Sequence, residues 1–283
     1  SVIVLGLINM LVGKTKKIAY FKPVINEPLE KEMDTHIETI VSQFGLTTNY
    51  EEMYAFTKDE VLRYRSEDNT AFVIDKINAK FKKLEETHDF VLVEGTSFSG
   101  EGTVIELDMN VLIAKNLGIP AIIVGSGVDK TLEEIIDSLY LAYDSFKVKE
   151  VEVLAVIANK VQPENIELVA AGLKKSLPES VLINAIPIIS SLNNPTIQEI
   201  VKVLDAKVLF GASFLNNQIG SFSIGAMQLR NYLLNLKDNA LVITPGDRAD
   251  IILGALQANE SINYPSISGI VLTGNIVPED SIL

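Results

Sequence analysis

The sequence predicts an α/β protein with a doubly wound, mainly parallel sheet, followed by a smaller α/β domain. From Ser1 to about Leu204, helical apolar patterns alternate with short continuous apolar runs, the order expected of strand–helix–strand units. Those runs are rich in Val, Ile and Leu rather than alternating, as burial on both faces of a parallel sheet demands. After Leu204 charge thins out and turns multiply: residues 205–283 hold 4 basic and 7 acidic side chains and seven of the 17 glycines. The expected domains are therefore 1–204 and 205–283.

The first element is an apolar helix from Ser1 to Val12, closed by Gly13, with Lys14, Lys16 and Lys17 near the negative end of its dipole. Gly13-Lys14-Thr15 matches the last three letters of a phosphate-binding P-loop. Ile8 stands where that motif needs its first glycine, and helix precedes strand here, the reverse of the P-loop order. Strands follow at "KIAYF" (17–21), "DFVLVEG" (89–95), "IPAIIVG" (119–125), "VEVLAVIANK" (151–160) and "VLINAIPI" (181–188). Between them, Met33, Ile37, Ile40, Val41 and Phe44 form one helical stripe, ended by Gly45, and Val73, Ile77, Phe81 and Leu84 form another. Thr57 with Glu60, Thr131 with Glu134 and Thr196 with Glu199 are capping-box pairs, and Pro163 suits the first turn of a helix. The second domain reads as a strand "AKVLFG", a helix from Ile224 to Leu236, a strand "ALVIT", a helix from Asp247 to Ala258 and a strand "SGIVLTG".

A doubly wound sheet feeds its first helix from a strand. The expectation is thus an upstream strand and glycine-rich loop, with Ser1 where the last Ser or Thr of a P-loop belongs, and a second domain cut short at its C-terminus.

Composition narrows the function. The net charge of −13 repels phosphate backbones and anionic membranes, so nucleic acid is not an expected partner. The chain has no cysteine, which excludes disulfides and thiol nucleophiles and fits a reducing compartment. No apolar run reaches the roughly 18 residues that span a bilayer, and the reading is a soluble cytoplasmic protein with no membrane partner. His36 and His88, the two histidines, lie apart and read as solvated or helix-end residues.

Four places could carry chemistry. Glu94 and Gly95 end an apolar strand where Mg²⁺ and substrates gather in such sheets, although strand ends are also polar merely for solvation. Asn159 and Lys160 end another strand and are placed either to read a base edge or to solvate the rim. Lys22, before Pro23, either reaches a phosphate or carboxylate or is an edge lysine. In the second domain, "TPGDRAD" joins strand to helix: Asp247, Arg248 and Asp250 form either an anion or regulatory-ligand site at the helix start, or an N-cap and its first turn.

"YFKPV", "FVLVEGTSFSGEG", "NVLIAKNLGIPAIIVGSG", "VIANKVQPEN" and "NNPTIQEI", in that order, resemble the dethiobiotin-synthetase-like P-loop domain at the front of long bacterial phosphate acetyltransferases. "VLFGASFLNNQIGSFSIGAMQLRNYL" with "VITPGDRADIILGAL" resembles the DRTGG domain that follows it there. The resemblance covers nearly the whole chain. It implies that Ser1 is the last P-loop residue and, with Glu94, a Mg²⁺ ligand. It also implies that Lys22 is the lysine of the "KP" element and Asn159 the adenine-side asparagine, with ATP and Mg as cofactors. Two departures stand: the glycine-rich loop is absent from these residues, and Asp-Arg-Thr-Gly-Gly reads Asp247, Arg248, Ala249, Asp250, Ile251. The resemblance further implies a regulatory and oligomerising region that responds to a metabolite or nucleotide effector and forms a homo-oligomer. The catalytic domain that converts acetyl-CoA and phosphate to acetyl phosphate and CoA lies outside it. The alternative is a free-standing ATP-dependent synthetase of the dethiobiotin class.

Overall fold

The computed structural model describes residues 2–15, 17–26, 33–96, 103–189, 192, 194–279 and 282. The chain forms two compact units, Ser1–Ile188 and Ile189–Leu283.

In the first unit, helix α1 (Val2–Val12) is apolar around its whole circumference, yet Ile8 is its buried residue. It ends in a turn whose Lys14 and Thr15 amides both donate to the Leu11 carbonyl, and the chain then enters strand β1 (Ile18–Phe21). Gly13-Lys14-Thr15 thus follows a helix and precedes a strand, and Gly13 is not among the glycines with positive φ. Strands β2 (Val24–Ile25) and β3 (Phe56–Thr57) pair in parallel; at two residues each they are too short for a sequence period to reveal. Between them, α2 (Thr35–Phe44) is capped by Asp34 and ended by Gly45, whose φ of 61° is the left-handed conformation that glycine adopts freely. Helix α3 (Lys58–Ser66) opens with the Thr57/Glu60 capping box. Helix α4 (Thr70–Thr87) buries its predicted stripe, Val73, Ile77, Phe81 and Leu84.

Strand β4 (Phe90–Val93) returns beside β1, Ile18 opposite Phe90 and Phe21 opposite Val93, in parallel. Then come α5 (Thr103–Leu117), β5 (Ala121–Ser126), α6 (Leu132–Val148), β6 (Val153–Val161), α7 (Ile166–Ser176) and β7 (Leu182–Pro187). The last three strands form a parallel sheet in the order β5-β6-β7. Helix α5 joins two cores: Met109 and Ile113 pack with Ala19, Phe21 and α4, while Val111 and Ala114 pack with β5, β6, α6 and α7. The parallel α/β class is as expected, but the ladder is divided. Among the described residues β4 pairs with β1 alone and β5 with β6 alone. Phe90, Ile122 and Val124, expected inside, are 40, 38 and 44% exposed because strands with one neighbour leave part of their apolar surface uncovered.

The second unit begins before the composition shift at 204/205. Helix α8 (Ile197–Leu204), with its Thr196/Glu199 capping box, is stitched to residues 215–219 of that unit. The Ile197 amide donates to the Asn217 carbonyl at 3.0 Å, the Gln198 amide to Leu215 at 2.8 Å and the Ile219 amide to Pro195 at 2.8 Å. Two expectations are corrected here. "AKVLFG" is not a strand: Val208, Leu209 and Phe210 are exposed and Gly211 turns the chain at a φ of 76°. The helix expected from Ile224 to Leu236 is instead strand β8 (Ser221–Ile224), a turn, and the short helix α9 (Leu229–Leu234). The alternation of Ser221, Phe222, Ser223 and Ile224 is the period of a half-buried strand, and the tertiary pairing selects it over the helical pattern. Strands β9 (Ala240–Pro245) and β10 (Ile267–Thr273), joined through α10 (Ala249–Asn259), complete a parallel sheet ordered β10-β9-β8. Tyr232, Leu236, Ile251 and Ala255 of α9, α10 and their flank close over Ala240 and Val242. Phe222 and Met227 stay outside that core, 58 and 51% exposed. Among the described residues no helix is long and apolar enough to cross a membrane.

Candidate functional site

The carboxyl ends of β1 and β4 lie side by side, so Lys22, which follows β1, and Glu94, which follows β4, face a common corner. The Glu94 amide donates to the Phe21 carbonyl at 2.8 Å, extending the ladder one residue past β4. Among the described residues, Tyr20 and His36 both reach the Glu94 carboxylate. The Tyr20 hydroxyl donates to one oxygen, and His36 Nδ1 lies 3.3 Å from the other. Burial favours the neutral carboxyl, but the hydrogen bonds from His36 and Tyr20 outweigh it and hold Glu94 below its usual range. Burial first, and then the adjacent Glu94 charge, push the Tyr20 hydroxyl far above its ordinary value, which keeps it a donor.

Lys22 is also committed. Its Nζ donates to both Asp34 oxygens, at 3.0 and 2.9 Å, and both side chains are nearly inaccessible. Asp34 Oδ1 accepts the amides of His36 and Ile37 at 3.0 and 3.2 Å, so one carboxylate caps α2 and neutralises Lys22. Here too burial opposes ionisation, and the bond to Lys22 and its charge prevail, leaving Asp34 below the usual carboxylate range.

On the far side of Glu94 the chain is held by Asn110 of α5. The Thr96 amide donates to Asn110 Oδ1 and Asn110 Nδ2 donates to the Thr96 carbonyl, each at 2.9 Å. A Cβ on Gly95 would come within 3.1 Å of Asn110 Oδ1, so glycine gives this clamp its room. Lys22, Asn26, His36, Glu94, Gly95 and Thr96 line a cavity of about 180 Å³. The Thr96 hydroxyl is buried without a hydrogen-bond partner among the described residues.

Of the predicted site residues, Lys22, Glu94 and Gly95 are thus brought together. Ser1 lies outside the described residues. Asn159 and Lys160 sit at the end of β6 and do not line this cavity. Asn159 Oδ1 accepts the Lys160 amide at 3.0 Å, and Lys160 takes a positive φ of 57°, uncommon for a residue with a side chain. In the second unit the helix begins later than expected, with Arg248 rather than Asp247 as N-cap and without a side-chain cap bond. Arg248 grips Asp250 through two hydrogen bonds, Nε to Oδ1 at 2.8 Å and Nη2 to Oδ2 at 2.9 Å. It also donates to the carbonyls of Gly225 and Met227. The guanidinium therefore ties the turn after β8 to the start of α10. Gly246 is required nearby, since a Cβ there would lie 1.8 Å from the Ile276 carbonyl oxygen.

Sequence reasoning missed Tyr20, Asp34, His36, Thr96 and Asn110. Asp34 carried a readable signal, an N-cap residue directly before an apolar helical stripe. The others come together only through the fold.

The donor set can be tested against ATP and Mg²⁺. Among the described residues no group of three His, Cys, Asp or Glu converges to hold a metal. The carboxylates at the corner already bond to protein groups, and its cavity is below the roughly 300–1,000 Å³ of small-molecule sites. The described residues do not by themselves fit a complete ATP–Mg site.

Parallel strands that carry Lys22, Glu94 and Asn159 at or just past their carboxyl ends make this a parallel α/β unit. An AAA domain family matches residues 1–196, and a DRTGG domain family matches residues 199–283. The chain belongs to the AAA domain family, with a DRTGG domain following. It is similar to proteins named phosphate acetyltransferase. That of Synechocystis sp. is 35% identical over 285 residues, covering 100% of this chain and 41% of the relative. That of Nitratidesulfovibrio vulgaris is 36% identical over 282 residues, covering 98% and 40%. That of Pseudomonas aeruginosa is 27% identical over 293 residues, covering 99% and 41%. The chain thus spans about two fifths of the length of these relatives.

Proposed function

We propose that these residues form the ligand-sensing and assembly module of a phosphate acetyltransferase and do not themselves transfer the acetyl group. The observation that carries this reading is the extent of the match: the full chain aligns with phosphate acetyltransferases yet accounts for 41% and 40% of the two most identical relatives quoted above. The AAA and DRTGG matches occupy nearly all of it. The Glu94 corner supports a sensing role, because its charges are paired within the protein and its small cavity keeps an unpartnered buried hydroxyl on Thr96. Its ligand is a metabolite or one part of a nucleotide. Completing a nucleotide site requires a further strand and phosphate-binding loop, and the edges of β4 and β5, unpaired among the described residues, support a strand lying between them.

Assembly is assigned to the second unit, where Phe222, Ile224 and Met227 are 58, 70 and 51% exposed. Phe222→Asp with Met227→Asp tests this in sedimentation velocity. The variant is expected to remain folded, because neither side chain fills the core, and to sediment as a smaller species than the parent. A parent that is monomeric at high concentration would remove the assembly role.

A further inference from the structure

A second cavity, about 530 Å³, opens beside the amino ends of β1 and β4, away from Glu94, and has no part in the reading above. Three helices end at it. Val12 closes α1, Phe44 and Gly45 close α2, and Thr87 and His88 close α4, and all five residues line the trough. Helix C-termini carry roughly half a negative charge each and leave carbonyl oxygens without intrahelical donors. This end therefore favours a positively charged donor group, and the Glu52 carboxylate on the wall adds to it. Lys17, on the wall as well, supplies an opposite charge. Neither Lys17 nor Glu52 takes part in an ion pair among the described residues.

The polar groups between these charges are mostly hydroxyls. Thr15 lines the trough, and its Oγ1 is buried without a hydrogen-bond partner among the described residues. His88 Nδ1 lies 3.0 Å from the Leu84 carbonyl oxygen and 2.9 Å from Thr87 Oγ1, and its Nε2 lies 3.3 Å from Thr48 Oγ1. The floor is apolar, built from Ile18, Phe44 and Leu46. The volume falls within the roughly 300–1,000 Å³ of small-molecule sites.

We propose that this trough binds a small zwitterion, an α-amino acid with an apolar side chain. Its ammonium lies toward the helix C-termini and Glu52, its carboxylate toward Lys17, and its side chain on the apolar floor. A cation alone would leave Lys17 opposed, and an anion alone would face the carbonyl-rich helix ends.

Calorimetric titration and thermal unfolding of the 283-residue chain separate these cases, with L-leucine, leucinamide and 4-methylpentanoate as probes. Leucine is expected to bind and raise the unfolding midpoint by roughly 2–4 °C at about ten times its dissociation constant. Leucinamide and 4-methylpentanoate should bind at least about tenfold more weakly. Glu52→Gln and Lys17→Met, both at exposed positions, should each weaken leucine about tenfold or more while leaving the circular dichroism spectrum unchanged. Equal binding of either single-charge probe would overturn the zwitterion assignment. Failure of leucine to bind at tens of millimolar, or undiminished leucine binding in both variants, would overturn the site itself.

Discussion

Lys22 and Asp34 form a buried ion pair in which both carboxylate oxygens accept from one ammonium, at 3.0 and 2.9 Å. The pair joins the end of β1 to the start of α2 directly beside Glu94. Removing one partner leaves the other charged and desolvated, which costs about 3–5 kcal/mol. Lys22→Met is therefore expected to lose roughly that much stability in urea unfolding. Lys22→Met combined with Asp34→Leu should recover part of it, because no unpaired charge then remains. A single-variant loss below about 1 kcal/mol would mean that solvent reaches the pair.

The same corner sets an acid limit. Asp34 and Glu94 both have folded-state values below their ordinary ones. A depressed carboxylate contributes stability that is fully present above its unfolded value, about 4, and that disappears as pH falls through the lower folded value. The unfolding midpoint of the first unit should stay level from pH 7 to about 5 and drop below about 4. Asp34→Asn should start lower at pH 7 and fall less steeply. An Asp34→Asn profile parallel to the parent's would assign the acid transition to other groups.

Hydrogen exchange reads the open strand edges. The Phe90 and Glu94 amides donate toward β1, so alternation turns those of Val91 and Val93 to the other edge of β4. On β5 the Ala121 and Gly127 amides donate toward β6, which turns those of Val124 and Ser126 outward. These four amides should exchange quickly here. In a longer protein with a strand between β4 and β5, they should become as protected as Leu92 and Ile123. Slow exchange of all four in the 283-residue chain would mean that the edges are already covered.

The first unit was legible in the sequence because its strands and helices carry strong local signals. Continuous apolar runs marked β1 and β4–β7, and the Thr–x–x–Glu spacing marked the starts of α3, α6 and α8, all of which form capping boxes. The second unit was harder. "AKVLFG" has strand composition but pairs with no strand among the described residues, while the helix expected from Ile224 begins only at Leu229, because Ser221–Ile224 pairs with β9 as a strand. At the site, Lys22 and Glu94 were visible as polar residues ending apolar runs. Their partners were not, because Tyr20, His36 and Asn110 reach the corner from a buried strand position, a helix start and a distant helix, and only the tertiary arrangement brings them there.

Under the function proposed above, residues 1–283 sense and assemble without transferring an acetyl group. The direct measurement is acetyl-CoA formation from acetyl phosphate and CoA by the purified chain, beside a full-length phosphate acetyltransferase as positive control. The prediction is no turnover above the uncatalysed background at micromolar protein. Turnover by the 283-residue chain that persists after repurification would contradict the claim and place acetyl transfer within these two domains.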